Sequence, residues 1–268
     1  MPKVLYFLIF LIILVVFSNF FGGFGMETRR IKKLQRETLL NSQRYQSELL
    51  IAARGSPSFE DLQNFYEKVK MEAYCGNLVS IGKPGEDGSK YVCNPMAVKR
   101  RNCTLLSLGL NNQIGYDQNI IEATGGHCLI LGADKDLQNI QTRKSYANIG
   151  GELFIGKIPT ELTIDSMLEK VGRKEVEVAK VDIEGGEFTG LEPFLRKYHV
   201  CQILIEVHGT PADHLRMLQI MAKYGFRLYN IDKNVICPAC CEYSLINKKC
   251  IGQFGVVPLA DTIPAGSI

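Results

Sequence analysis

Several things are missing from this chain, and each absence excludes a class of function. Charge of one sign is not in excess: over 268 residues the formal net charge is +3. No basic stripe with interleaved aromatics occurs, so the electrostatic footprint of a nucleic-acid binder is missing and no nucleic-acid partner is expected. There is no internal repeat and no low-complexity segment, which argues against solenoids and arrays. No G-x-G-x-x-G run is present, so the glycine loop that serves a dinucleotide pyrophosphate is lacking. The length allows one domain with attachments, or two small ones.

What is present begins with an uncharged segment, Val4 to Met26. It is longer than the ~18 apolar residues of a membrane span and has no small-x-small cleavage site after Phe17. An uncleaved single-pass anchor over residues 1–26, crossing the membrane through 4–26, is the expectation. A cleaved signal and a secreted body is the rival. Arg29, Arg30, Lys32 and Lys33 follow the span, which by the positive-inside rule places the body in the cytosol. Nine cysteines and the sequon Asn102-Cys103-Thr104 argue the other way. The expected setting is the endoplasmic reticulum or Golgi with a luminal body, disulfide-bonded and leaving at least one odd cysteine.

Residues 27–73 read as a helical stem whose first helix, to about Leu50, lies outside the core, while Ser58-Phe59-Glu60-Asp61 is spaced as a capping box for a second helix that can pack on the domain. "LVSIGKPGEDGSKYVC" reads as a hairpin. From Thr104 onward strands and helices alternate. "TLLSLGL", "HCLILGAD", "ELFIGK", "EVAKVDIEGG" and "VCQILIEVHG" are the strands, with amphipathic stretches between most of them. "FRLYNIDKN" and "CEYSLIN" are two late strands with no long helix between them. This pattern predicts an α/β fold with a doubly wound, mostly parallel sheet and an antiparallel edge hairpin, over residues 74–257, followed by a tail over 258–268.

In such a sheet the carboxyl ends of the strands share one rim, where ligands bind. Gly109 and Asn111 follow the first strand, Asp134 the second, Asp182 and Glu184 the fourth, and His208 the fifth, just beyond Glu206. A Gly/Asn turn allows positive φ and close approach to a ligand. A carboxylate after the second strand can accept hydrogen bonds from a ribose diol. With no pyrophosphate loop, a nucleoside ligand such as S-adenosylmethionine fits best. Asp182 and Glu184, two apart on an extended chain, would face one side, where carboxylates can orient the amino acid portion of such a cofactor or an acceptor hydroxyl, so Asp182 is also a cofactor-binding candidate. Glu187 reads as a helix-start residue favoured by the dipole. The plainer reading of "DIEGGE" is a solvated strand-to-helix turn.

"LTIDSMLEKVGRKEVEVAKVDIEGGEFTGLEPFL" resembles the T-x-D-S-L…D-hydrophobic-E-G-x-E signature of FkbM-type methyltransferases. "SLGLNNQIGYDQ" is similar to the first motif of the animal methyltransferase-like branch, S-hydrophobic-G-x-G-x-D-x-S-F-E, with Asn111 in place of a second glycine and Asn112 where an acid is common. The hairpin and "CCEYSLIN" extend the likeness over Cys75 to Asn247. The resemblance implies a Rossmann-like methyltransferase fold and transfer of a methyl group from S-adenosylmethionine to a hydroxyl-bearing acceptor. It also implies that Gly109 and Asp134 hold the cofactor and that Asp182 and Glu184 face the transfer site. The altered loop at Asn111 leaves open a cofactor-free or non-catalytic binding module.

Of the histidines, only His208 stands where a base is useful; His127, His199 and His214 carry no signal. "CPACC" with Cys250 invites zinc, but lacks the paired Cys or His of a structural site, so no metal is expected. "GADKD" matches the Asp-x-Asp of metal-dependent glycosyltransferases, the enzyme alternative. Nothing in the sequence names the acceptor or the oligomeric state.

Overall fold

The computed structural model describes the backbone from Pro2 to Gly266 except residues 83–87 and 235, and side chains from residue 27 onward. Helix α1 (Pro2–Ala52) leads into α2 (Phe59–Lys68). The expected membrane span lies outside the residues whose side chains are described; among those described, no helix is long and apolar enough to cross a membrane. The second stem helix packs on the domain as expected, and the first differs from expectation at its carboxyl end. Leu49, Ala52, Leu62, Phe65 and Tyr66 are buried and join the main core, so α2 and the last turn of α1 are part of the packed body. The apolar residues of α2 recur on one face, and that face needs a partner. Ser58 caps α2 by accepting from Asp61 N at 3.2 Å, while Asp61 accepts from Ser56 N at 2.8 Å, two residues before the N-cap amide of the box expected.

Strand β1 (Ala73–Tyr74) precedes the hairpin of β2 (Leu78–Ile81) and β3 (Lys90–Cys93), which pair antiparallel as expected. The main sheet then follows in chain order: β4 (Thr104–Leu108), α3 (Gly115–Ala123), β5 (Leu129–Asp134), α4 (Ile140–Asn148), β6 (Glu152–Ile155), α5 (Ile164–Lys170), β7 (Glu175–Val181), α6 (Glu187–Lys197), β8 (His199–His208), α7 (Pro211–Lys223), β9 (Phe226–Lys233) and β10 (Cys240–Asn247). The short helix α8 (Ile251–Phe254) and β11 (Val257–Pro258) close the chain. Seven strands form one sheet in the order β6-β5-β4-β7-β8-β10-β9. The first five are mutually parallel, β10 runs antiparallel between β8 and β9, and the late hairpin thus forms the edge. β4 and most of β5, β7 and β8 are buried, which is why they read as apolar runs rather than as alternation. Helix α4, which sequence reasoning missed, is weakly amphipathic and polar, with Asn139 as its cap.

Of the expected tail over 258–268, the stretch from Pro258 to Ile263 is tied in. β11 pairs with β1, and the buried carboxylate of Glu72 accepts from Thr262 N at 2.8 Å and Ile263 N at 2.9 Å. Eight of the nine cysteines pair: Cys75–Cys93, Cys103–Cys128, Cys201–Cys250 and Cys237–Cys240, leaving buried Cys241 free. Cys103 and Cys128 clamp the chain just before β4 and β5, at the end of the sheet opposite the ligand rim.

Candidate functional site

A cavity of about 800 Å³ opens at the carboxyl ends of β4, β5 and β7, bordered by Gly109, Asn111, Asp134, Lys180, Asp182 and Glu184. That volume is in the range of small-molecule and cofactor sites. Five of the six expected site residues line it, and His208 stands beside Glu184.

The cavity's first half is a loop stitched to its surroundings. Gly109 has φ +83°, and a Cβ there would fall on the carbonyl oxygen of Asp182. Its N–H donates to Ala133 O at 2.9 Å, so the ends of β5, β4 and β7 converge on one position that admits only glycine. Asn111 and Asn112, at φ 45° and 58°, keep the left-handed backbone that a glycine loop uses, which Asn tolerates better than most residues. Asp134 Oδ2 accepts from Leu110 N at 2.9 Å and Asn111 N at 2.7 Å, and Oδ1 accepts from Asp136 N at 2.9 Å. Asn112 N donates to Gln138 Oε1 and Asn112 Oδ1 accepts from Asn139 N, both at 2.7 Å, joining the loop to the start of α4. The polar stretch that gave no sequence signal is thus the loop's other wall.

The second half departs from the sequence reading in geometry. β7 ends at Val181, and Glu184 sits at φ 54°, followed by Gly185 at φ 92°. Asp182 and Glu184 are not on extended chain, so the period-two argument fails, but the turn itself brings them together. Ligand atoms of Asp182, Glu184 and His208 all lie within 4.8 Å of one another. His208 Nε2 is 3.7 Å from Glu184 Oε2 and 3.8 Å from Glu206 Oε1. Glu187 does open α6, and it does more than complement a dipole: its buried carboxylate accepts from Ile183 N at 2.8 Å and closes the turn.

Beneath this rim lies a charged network. Lys90, buried on β3, contacts Glu206 at 3.4 Å and is bonded to Glu242. Burial pulls the Lys90 ammonium down, but the two glutamates outweigh it and hold its pKa up. Burial, aided by Glu206 and Asp182, pushes the Glu242 carboxyl up to about 7 against the pull of Lys90. Lys180, on β7 and buried, donates to Gly109 O at 2.9 Å; burial and Lys90 push its pKa down. Asp117 on α3 accepts from Tyr146 Oη at 3.0 Å, and burial pushes its carboxyl up. A lysine inside an apolar strand was the signal for Lys180. Lys90 and Glu242 gave none, because only the folded sheet brings β3 and β10 together.

His214 is a packing residue. It is fully buried, with Nε2 3.1 Å from Tyr66 Oη and Nδ1 3.0 Å from Tyr243 Oη. The zinc arrangement does not form, since Cys237 pairs with Cys240 and Cys250 with Cys201. In "GADKD", Asp134 is committed to loop amides, which counts against its use as a metal-binding Asp-x-Asp.

A family model described as the methyltransferase FkbM domain matches residues 70–228, more than half of the chain. No curated protein matches. Among solved structures, the fold is similar to fibrillarin from Aeropyrum pernix in complex with S-adenosyl-L-methionine, at 10% identity and TM-score 0.44, covering 63% of this chain and 88% of that one. An rRNA methylase from Streptococcus thermophilus is similar at 15% identity and TM-score 0.40, covering 57% and 92%. A precorrin-6y C5,15-methyltransferase from Geobacter metallireducens aligns at 8% identity and TM-score 0.40, covering 58% and 86%. The close-approach glycine, the carboxylate after β5 and the cavity between them fit S-adenosylmethionine, and Asn111 keeps a left-handed backbone where relatives have a second glycine. The chain belongs to the FkbM methyltransferase family and is an S-adenosylmethionine-dependent methyltransferase.

Proposed function

We propose that the chain methylates a hydroxyl oxygen of a glycan or small metabolite, with the acceptor held on the Asp182–Glu184–His208 side of the cavity. The observation that carries this is the cavity's two-sided construction: a bonded loop at one wall, and at the other a carboxylate pair and an imidazole with ligand atoms within 4.8 Å. S-adenosylmethionine supplies a methyl group already activated on a sulfonium, so the protein's main task is alignment. In this reading Gly109 lets the loop approach the cofactor, Asn111 holds the loop's left-handed turn, and Asp134 fixes the loop amides while offering the remaining lone pair of Oδ1 to the ribose. Asp182 and Glu184 orient the acceptor hydroxyl, and the His208 side receives its proton, directly or through solvent, a contribution of ~10²–10⁴ in rate.

Labelled S-adenosylmethionine incubated with a cell glycan or metabolite extract tests this. Label is expected in an O-methyl ether, lost in Asp182→Ala and retained at a reduced rate in His208→Ala. Transfer undiminished by Asp182→Ala, or label found only on nitrogen or carbon, contradicts it.

The setting we propose is a luminal body on an amino-terminal anchor. Four disulfides are consistent with an oxidising compartment. Asn102 is exposed, just ahead of β4, where a glycan can be carried. In a microsome protection assay the body should resist added protease; digestion from the cytosolic side overturns this placement.

A further inference from the structure

From the acceptor side of the cavity we infer that Asp182, Glu184 and His208 form a site for a divalent cation, of the Mn²⁺ or Mg²⁺ type, with Glu206 behind it. The inference deepens the proposed function, since the cation would stand where the acceptor hydroxyl is handled. It replaces the sequence-based expectation that no metal takes part.

The donor set is the first support. Two carboxylates and one imidazole, arriving from the ends of adjacent parallel strands β7 and β8, bring ligand atoms within 4.8 Å of one another at the cavity wall. Their spacing is wider than in a loaded site: His208 Nε2 is 3.7 Å from Glu184 Oε2. The Glu184 side chain is 72% exposed, so it is free to close the remaining distance. Oxygen-rich sets with a single imidazole suit Mg²⁺ and Mn²⁺ better than zinc, which favours sulfur and several nitrogens.

Charge balance is the second support, and it is independent of that geometry. Asp182, Glu184, Glu206 and Glu242 bring four carboxylates to this region, and the two buried ammonium groups near them are already engaged. Lys90 is taken up by Glu206 and Glu242, and Lys180 is turned to Gly109 O at 2.9 Å. Among the described residues no lysine or arginine lies within salt-bridge distance of Asp182 or Glu184. Four carboxylates set against two ammonium groups leave this strand end with an excess of negative charge that a divalent ion would neutralise. Glu206, almost fully buried with Oε1 3.8 Å from His208 Nε2, adds a further carboxylate on the side of the nitrogen that would ligate. A cation here would draw a hydroxyl of the acceptor into the cavity and lower its pKa, the same service otherwise asked of a free base. An acceptor with two neighbouring oxygens would suit the open positions best.

The test is Mn²⁺ titration of the full chain in detergent, followed by electron paramagnetic resonance of free Mn²⁺, with S-adenosylmethionine affinity measured on the same samples by calorimetry. One saturable site per chain is expected, with nitrogen coupling to the bound ion that disappears in His208→Gln. Glu184→Gln and His208→Gln should each weaken Mn²⁺ by more than the ~10–100-fold typical of an outer-shell partner, while S-adenosylmethionine binding stays within about threefold and reports that the fold is intact. Absence of saturable Mn²⁺ binding in protein that binds S-adenosylmethionine overturns the cation site and leaves the methyltransferase reading standing. A Mn²⁺ site that survives both substitutions also overturns it. Mn²⁺ bound by the three residues in protein unable to bind S-adenosylmethionine would uphold the site and sink the reading on which it rests.

Discussion

The two walls of the cavity are built on opposite principles. Around Gly109–Asn112 almost every polar group has a partner: Asp134 takes three backbone N–H groups, and Asn112 and Gln138 lock the loop to α4. On the other wall His208 Nε2 stands 3.7 Å from Glu184 and 3.8 Å from Glu206, too far for hydrogen bonds, and His208 Nδ1 is buried with no partner among the described residues. The first wall is complete before anything binds, and so its ligand meets a rigid surface. The second is electrostatically unfinished, and an acceptor or an ion can complete it. In the proposed reading, preorganisation for the cofactor and incompleteness towards the substrate are separate properties, carried by separate strand ends.

The largest way to break this contrast is at the joint between the walls. Gly109→Ala puts a Cβ on the Asp182 carbonyl at a backbone φ of +83°. It should cost about 4 kcal/mol or more in urea unfolding and abolish S-adenosylmethionine binding, because β4 and β7 must separate. A milder loss, below about 1 kcal/mol, would mean the strand ends yield easily.

Acid should next separate the halves. Burial pulls His214 down to about 4 from 6.5, so the neutral ring is what the fold holds between Tyr66 and Tyr243. An unfolded chain takes up that proton below 6.5, whereas the folded one waits until about 4. Stability present above 6.5 is therefore lost as pH falls towards 4, by about 3 kcal/mol. His214 also contacts Ala239 O at 3.2 Å, beside the acceptor wall. Hydrogen exchange should show α7 and β10 losing protection first while the loop wall persists, and His214→Phe should flatten this part of the pH dependence. Uniform loss across the sheet would remove the distinction.

The smallest expected effect sharpens the loop side. Asn111→Gly should change S-adenosylmethionine affinity by less than about threefold, since both residues reach φ 45°, whereas Asn111→Val should weaken it by ~1–3 kcal/mol of backbone strain. Equal behaviour of the two variants would show that the turn is not required.

Much of the fold was legible because buried parallel strands announce themselves as apolar runs and helix ends as Thr210-Pro211 or Gly225. What stayed hidden depended on distance in sequence. Nothing local marks Glu72 as the acceptor for Thr262 and Ile263, or Lys90 as the partner of Glu242 on β10. The docking of the end of α1 was missed because Leu49 and Ala52 look like any amphipathic stripe until α2 and α7 lie against them. In the site, residue identities were readable from chemistry at strand ends, but not the geometry. Asp182 and Glu184 meet through a left-handed turn, and a period-two rule cannot anticipate that.

The division of labour between the walls is tested most directly by S-adenosylmethionine calorimetry on wild type, Asp134→Ala and Glu184→Gln side by side. Asp134→Ala leaves three loop amides without their acceptor, and at ~1–3 kcal/mol for stranding a buried donor it should weaken the cofactor by at least about tenfold. Glu184→Gln, a change at a side chain 72% exposed on the opposite wall, should leave affinity within about threefold of wild type. No binding by the wild type, or a larger loss in Glu184→Gln than in Asp134→Ala, would contradict the account.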